Sequence, residues 1–337
     1  MGVNIDRWKF GILKKGPRNL ITDVPGVKVG HTTISNDNNQ TGVTAILPHG
    51  GNLFKSKVSA AMHVINGFGK SAGLIQVEEL GTIETPIILT NTFGVGTGIN
   101  AVVTYMLNEN PEIGDTTGTV NSMVLECNDG VINNIRNRAV TEEDVLSAIE
   151  HACEDFEEGA VGGGRGMRCY GLKGGIGSAS REVTIAGKTY TVGALLMTNF
   201  GRTGDLTVCG EPIGRKMLDE YKEERGSCII ILATDIPLSV DQLKRCTHRA
   251  QNGLARTGSF TSNGSGEIAL MFSTANQIPH WDENPVEPIY RLHEDAIDDV
   301  FRAVTECVEE SVVSSLYHAE PLKNREGKIV HSLKEYL

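Results

Sequence analysis

The sequence predicts an α/β protein in which sheets and helices stack in layers. Three observations carry that expectation. Short apolar runs have strand character, several helical stripes have recognisable starts, and 39 of the 337 residues are glycine, well above the ~7% usual in globular chains.

The elements follow in order. Thr85-Pro86-Ile87-Ile88-Leu89-Thr90 is an apolar run opened by a proline, read as a strand that leads into a glycine-rich loop, Phe93–Gly98. Thr141-x-x-Asp144 has the form of a capping box, and Val145, Ile149 and Cys153 follow at helical spacing. Val183–Ile185 and Tyr190–Met197 flank Ala186-Gly187-Lys188 and read as a hairpin. Cys228–Ala233 is continuously apolar, as in a strand buried on both faces. Ser239-x-x-Gln242 is a second capping box, whose helix carries Leu243 and Cys246 and is expected to stop at Gly253. Glu267–Ser273 puts Ile268, Leu270 and Phe272 on one strand face. A long helix carries Ala296, Val300, Val304, Val308 and Val312 as its apolar stripe. Its carboxylates, including Glu309 and Glu310, are expected on a solvated face. Strands interleaved with helices give the layered class.

Composition narrows the function. Thirty-one basic against 42 acidic residues leave a net charge of −11, which argues against a nucleic-acid partner. No apolar run approaches the ~20 residues of a membrane span. Met1–Pro17 has no apolar core of a signal peptide, so none is expected. Seven cysteines with no C-x-x-C pair suit a reducing cytoplasm, and neither these spacings nor any His-x-x-x-His pair suggests a metal. No cofactor is expected. Gly69-Lys70-Ser71 ends like a phosphate loop, but Val64 stands where its first glycine is required. Gly94–Gly98, Gly162–Gly166 and Gly174–Gly177 lack complete phosphate fingerprints. They read as tight turns and close packing, or as a backbone lining for an oxyanion.

Two segments carry chemistry. In Arg225-Gly226-Ser227-Cys228 a polar stretch ends abruptly where a buried strand begins. The junction reads either as a plain loop-to-strand boundary or as a place where the chain is cut. In the second case Ser227 becomes an N-terminal residue whose α-amine, with a reference pKa of ~7.7–8.0, serves as base for its own hydroxyl. The other segment is Asn263-Gly264-Ser265-Gly266-Glu267. Asn-Gly signals a turn, and Ser265 and Glu267, two apart, share one face of a strand. Ser265 is the rival nucleophile, and a cut before it leaves a 73-residue piece. Cys228 and His31 read as a core thiol and a strand-end hydrogen-bonding group.

These stretches, together with Leu20–Val27, Val29-Gly30-His31-Thr32, Glu126–Gly130, Gly159–Gly164, Lys173–Gly177 with Ser180-Arg181, Asn199-Phe200-Gly201, Ala233-Thr234-Asp235 and Arg256–Asn276, recur in an order that resembles the DmpA-type aminopeptidases. That family comprises L-aminopeptidase/D-amidase-esterases and β-peptidyl aminopeptidases. The resemblance implies a four-layer αββα fold like that of the N-terminal nucleophile hydrolases. It implies one catalytic domain cut between Gly226 and Ser227 into 1–226 and 227–337, and a homotetramer of processed units. It further implies Ser227 as nucleophile, Ser265 and Glu267 as its supporting hydroxyl and carboxylate, and Asn199 as an oxyanion donor. Glu126 or Asp129 would hold the free ammonium of a small peptide, amide or ester. Val131 stands where the family commonly has a tyrosine after Asp-Gly, a departure that bears on activity and substrate range. The alternatives are acyl transfer, as in the related ornithine acetyltransferase, whose nucleophile is threonine, and a non-catalytic ligand-binding member of the fold.

Overall fold

The computed structural model describes residues 5–217, 226–282 and 284–337. The strands are β1 (Lys28–Ser35), β2 (Gln40–Leu47), β3 (Ser56–Gly67), β4 (Thr82–Ile83), β5 (Ile87–Asn91), β6 (Met123–Cys127), β7 (Arg168–Cys169), β8 (Leu172–Lys173), β9 (Gly175–Ile185), β10 (Lys188–Asn199), β11 (Gly226–Thr234), β12 (Ser265–Pro279), β13 (Leu322–Lys323) and β14 (Ile329–Val330). The α-helices are α1 (Leu74–Leu80), α2 (Val95–Glu109), α3 (Glu142–Glu150), α4 (Val240–Thr247), α5 (Ala250–Arg256) and α6 (Asp298–His318).

Two large sheets form the middle of the molecule: a four-stranded one in the order β1-β2-β5-β6 and a six-stranded one in the order β4-β3-β12-β11-β10-β9. Three apolar cores separate the layers. One lies between α2, α3 and the four-stranded sheet, with Val102, Val145 and Ile88. The second lies between the sheets, with Leu89, Leu195, Ile229 and Leu270. The third lies between the six-stranded sheet and α4–α6, with Leu196, Ile230, Met271 and Val308. Three cores in series make the expected αββα sandwich of four layers.

Strand alternation explains the central sheet. In β11, Cys228, Ile230 and Leu232 face the helices while Ile229, Ile231 and Ala233 face the other sheet. A strand covered on both sides needs the unbroken apolar run that the sequence has. β9 and β10 join through Ala186 (φ 50°) and Gly187 (φ 81°), the two positive φ values of a type I′ turn. β11 and β12 are parallel and are connected through α4 and α5, as parallel neighbours require.

Three local expectations are corrected. Phe93–Gly98 is no loop: Asn91 caps a short 3₁₀ turn by accepting from the N–H groups of Phe93 and Gly94, and α2 starts at Val95. Gly253 does not end a helix. It lies inside α5, where a Cβ would stand 2.6 Å from the Val308 Cβ and 2.7 Å from the Thr305 carbonyl oxygen, so glycine permits the close crossing with α6. Three of the α6 carboxylates are not solvated, although Asp298 and Asp299 in its first turn are exposed as expected. Glu306, Glu309 and Glu310 are buried, because Arg181, itself buried on β9, ion-pairs with Glu306 (3.1 Å) and Glu310 (2.6 Å), and Arg256 reaches Glu309 (3.1 Å). A buried guanidinium is tolerable only with anions beside it.

Candidate active site

Sheet topology concentrates strand ends at one place. β10 ends at Asn199, directly opposite Ser227 in the antiparallel pair β10–β11. The parallel pair β11–β12 sets Gly226 opposite Ser265, Ser227 opposite Gly266 and Cys228 opposite Glu267. β3 ends alongside, with Gly67 opposite Gly266. Residues 199, 227 and 265, far apart in sequence, thus meet at one edge of the sandwich.

Ser227 is 4% exposed. By alternation its side chain shares the inter-sheet face of Ile229, and there it hydrogen-bonds the Cys127 thiol on β6. Cys127 also donates to the Met197 carbonyl (3.6 Å), and burial pushes its thiol pKa well up, so it stays protonated. Cys228, next in the chain, faces the helix layer, and burial raises its pKa well above the ordinary thiol value. It is core, as the sequence suggests.

Ser265 and Glu267 are fully buried, and the Ser265 hydroxyl donates to Glu267 Oε1. The Asn66 side chain donates to the Ser265 carbonyl and, at 3.1 Å, to that of Ser262, which ties the Asn-Gly turn to the end of β3. By alternation Ser265 and Glu267 share the face of Ala269, turned from the Ser227 hydroxyl and level with Gly226 and Cys228. The pair therefore stands beside the backbone at 226–227.

Gly226 allows the closest approach. A Cβ there would lie 2.0 Å from the Asn199 carbonyl oxygen. The Asn199 side chain has a fixed orientation: its Oδ1 accepts from the Arg168 N–H (3.0 Å) and its Nδ2 donates to the Asn128 carbonyl (3.0 Å). One Nδ2 hydrogen remains for another acceptor.

The two acidic candidates separate. Glu126 lies beside Cys127 on β6, and its carboxylate accepts from the Lys70 N–H (2.8 Å) and from the Thr92 hydroxyl. Asp129 is buried between its own loop and Thr41 of β2, with its Oδ1 lacking a hydrogen-bond partner among the described residues. It is 1% exposed, accepts from Asn133 Nδ2 (3.1 Å), and burial pushes its pKa up to about 6. Val131 is not gathered with either; it is half exposed on the wall of a cavity of about 670 Å³.

Two contributors carry no sequence signal strong enough to find them. Cys127 is an ordinary strand residue until the two sheets stack. Lys173 lies in a glycine-rich stretch, yet its ammonium is fully buried and donates to three carbonyls: Gly164 (3.1 Å), Met167 (2.6 Å) and Gly174 (2.6 Å). Burial and the nearby Arg165 hold its pKa well below the ordinary lysine value. This ammonium fixes the segment that presents the Arg168 N–H to Asn199. His31 binds Thr44 (2.9 Å) and the Glu157 carbonyl (3.1 Å), and burial lowers its pKa to about 4, which makes it a neutral structural group.

Comparison with known proteins gives the same framework. The profile of Peptidase family S58 matches residues 19–330. The β-peptidyl aminopeptidase BapA of Sphingosinicella microcystinivorans is 35% identical over 95% of this chain and 86% of its own. Among solved structures, the PH0078 protein from Pyrococcus horikoshii OT3 is 50% identical, with a TM-score of 0.95 over 99% of this chain and 97% of its own. The L-aminopeptidase D-Ala-esterase/amidase of Ochrobactrum anthropi, a prototype for the serine aminopeptidases and a variant of the Ntn hydrolase fold, is 36% identical. Its TM-score is 0.91 over 97% of this chain and 94% of its own. With a family match of that extent lying on the same layered fold, the chain belongs to peptidase family S58 and is an aminopeptidase.

Proposed function

We propose that the chain activates itself by cutting the Gly226–Ser227 bond and then hydrolyses the N-terminal residue from short peptides, amides or esters through an acyl-enzyme on Ser227. In the first step the Ser227 hydroxyl attacks the Gly226 carbonyl carbon, the acyl group passes from nitrogen to oxygen, and water cleaves the ester. The products are a Gly226 carboxylate and a free Ser227 amine. The 1–226 and 227–337 pieces stay together as one domain, because β11 pairs with β10 on one side and β12 on the other.

In the working enzyme the Ser227 amine takes the proton of its own hydroxyl as Oγ attacks the substrate carbonyl. Ser265 and Glu267 stabilise the ammonium so formed. The free Nδ2 hydrogen of Asn199 and a backbone N–H receive the oxyanion. The proton then passes to the leaving amine, and water attacks the acyl-enzyme to release the amino acid and restore Ser227. Glu126 holds the substrate ammonium in preference to Asp129, since it adjoins the residue that touches Ser227 while Asp129 is held by Asn133. The processed units form a homotetramer in the cytoplasm.

The observation that supports this reading above the others is the strand register: Gly226 opposite Ser265, Ser227 opposite Asn199. Denaturing mass spectrometry tests it. Wild-type protein yields pieces of 226 and 111 residues, the smaller beginning at Ser227. Ser227→Ala remains a single 36.3 kDa chain and is inactive. A Ser227→Ala protein that still splits and hydrolyses an aminoacyl substrate overturns the assignment. A small piece beginning at Ser265 moves it to the rival serine.

A further inference from the structure

Beyond Asn199 the chain opens onto the cavity of about 670 Å³ that Val131 borders. Among the described residues its wall carries Arg168, Arg202, Arg325 and Lys328 against a single carboxylate, Glu326. That balance is opposite to the −11 of the whole chain. Lys328 is matched by Glu326 at 3.2 Å, and His331, which also lines the wall, by Glu335. Among the described residues, no carboxylate lies within ion-pair distance of Arg168, Arg202 or Arg325. Arg202 stacks its guanidinium 5.0 Å from the Phe260 ring centre, and its buried Nε has no hydrogen-bond partner among the described residues. Burial also lowers the Arg168 pKa from its ordinary value. Three guanidinium groups without an ion-paired anion among the described residues, around one hollow, form a receptor for an anion, and the planar fork of arginine suits a carboxylate.

We propose that this cavity is a carboxylate subsite that takes the free C-terminus of a short peptide whose N-terminal residue is being removed. The inference rests on the proposed function and adds a preference for substrates with an unblocked C-terminus. The path supports it. Arg168 supplies the N–H that orients Asn199, and Gly201, two residues beyond Asn199, is part of the cavity wall. Two extended residues span about 7 Å. A di- or tripeptide with its carbonyl at Asn199 therefore carries its terminal carboxylate into the hollow, and that carboxylate is the one anion every unblocked short peptide has. Valine at position 131 leaves room there that a larger side chain would fill.

The test uses the mature wild-type enzyme, an Arg325→Gln variant and an Arg202→Gln/Arg325→Gln variant. Arg325 lies on an exposed turn, so its replacement leaves the fold intact. The substrates are one tripeptide as free acid, the same tripeptide as C-terminal amide, and an aminoacyl p-nitroanilide as internal reference. The wild type is expected to favour the acid over the amide by about tenfold or more in kcat/KM, mainly through KM. That ratio falls towards one in the double variant and shrinks with added salt. Equal kcat/KM for acid and amide in the wild type overturns the inference. So does inhibition of amide hydrolysis by inorganic phosphate in the absence of any acid preference, which identifies the ligand as a free anion. Hydrolysis of the p-nitroanilide separates the two readings. If it proceeds without an acid preference, only the subsite fails; if it does not proceed and the chain is uncut, the proposed function itself fails.

Discussion

Replacing Gly226 by alanine probes the contact on which the site depends. The new Cβ would stand 2.0 Å from the Asn199 carbonyl oxygen and 2.9 Å from the Phe200 Cα. A carbon and a carbonyl oxygen approach comfortably to about 3.3 Å, so β10 and β11 must part by about 1 Å where Asn199 faces Ser227. Backbone is on both sides of the contact, and no rotamer change relieves it. Overpacking of this kind costs about 1–3 kcal/mol. If the geometry lost is that of the acyl shift, cleavage slows about 5- to 150-fold. The assay is a time course of intact chain against its two pieces by denaturing mass spectrometry after rapid purification. Gly177→Ala is the control. Its Cβ would meet the Ser311 carbonyl oxygen at 1.9 Å, an equally deep clash between β9 and α6, two strands from β11. It should lower Tm and leave the cleavage rate alone. Cleavage of Gly226→Ala within twofold of wild type, or equal slowing in Gly177→Ala, refutes the argument.

Two further predictions concern buried charge. Burial raises the Glu158 pKa from 4.5 to about 7, opposed by hydrogen bonds from the Ser314 hydroxyl and the Ser178 N–H and assisted by Glu310. His318, whose own pKa burial lowers, lies 3.4 Å away. The folded chain holds this proton more tightly than the unfolded chain. Its contribution is therefore intact below about pH 4.5 and lost as pH rises to about 7, about 3 kcal/mol in all. Glu158→Gln should flatten that part of the profile in urea midpoints taken at pH 5 and pH 8, and an unchanged slope contradicts it. Lys173→Met strips three carbonyls of their buried donor, at about 1 kcal/mol each. Tm should fall, and kcat should fall with little change in KM, because Asn199 loses its brace. An unchanged Tm and kcat removes the brace.

Much of the framework is legible in the residues. The Ala186-Gly187 turn, the Thr141 capping box and the doubly buried run Cys228–Ala233 all appear where local chemistry puts them, because each depends on neighbours in sequence. The errors come from packing. Gly253 reads as a helix stop until α6 is laid against it, and Glu309 and Glu310 read as solvated until Arg181 and Arg256 arrive from other elements. Ser227, Ser265 and Glu267 can be picked out from the residues, but their assigned roles, and Asn199 altogether, come from family resemblance, since Gly-Ser at a strand start is by itself an unremarkable junction.

The sequence alone determined five strand segments, lying in β5, β9, β10, β11 and β12, and the helices α3, α4 and α6, since periodicity, capping and turn residues act over a few positions. Tertiary structure decided what adjoins what. The parallel crossover from β11 to β12 brings Ser265 beside Gly226, and the stacking of two sheets sets Cys127 against Ser227. Loop closure likewise separates Glu126, which adjoins the Cys127 that meets Ser227, from Asp129, three residues on and held by Asn133. Those choices depend on pairing across dozens to hundreds of residues, and no local pattern encodes that distance.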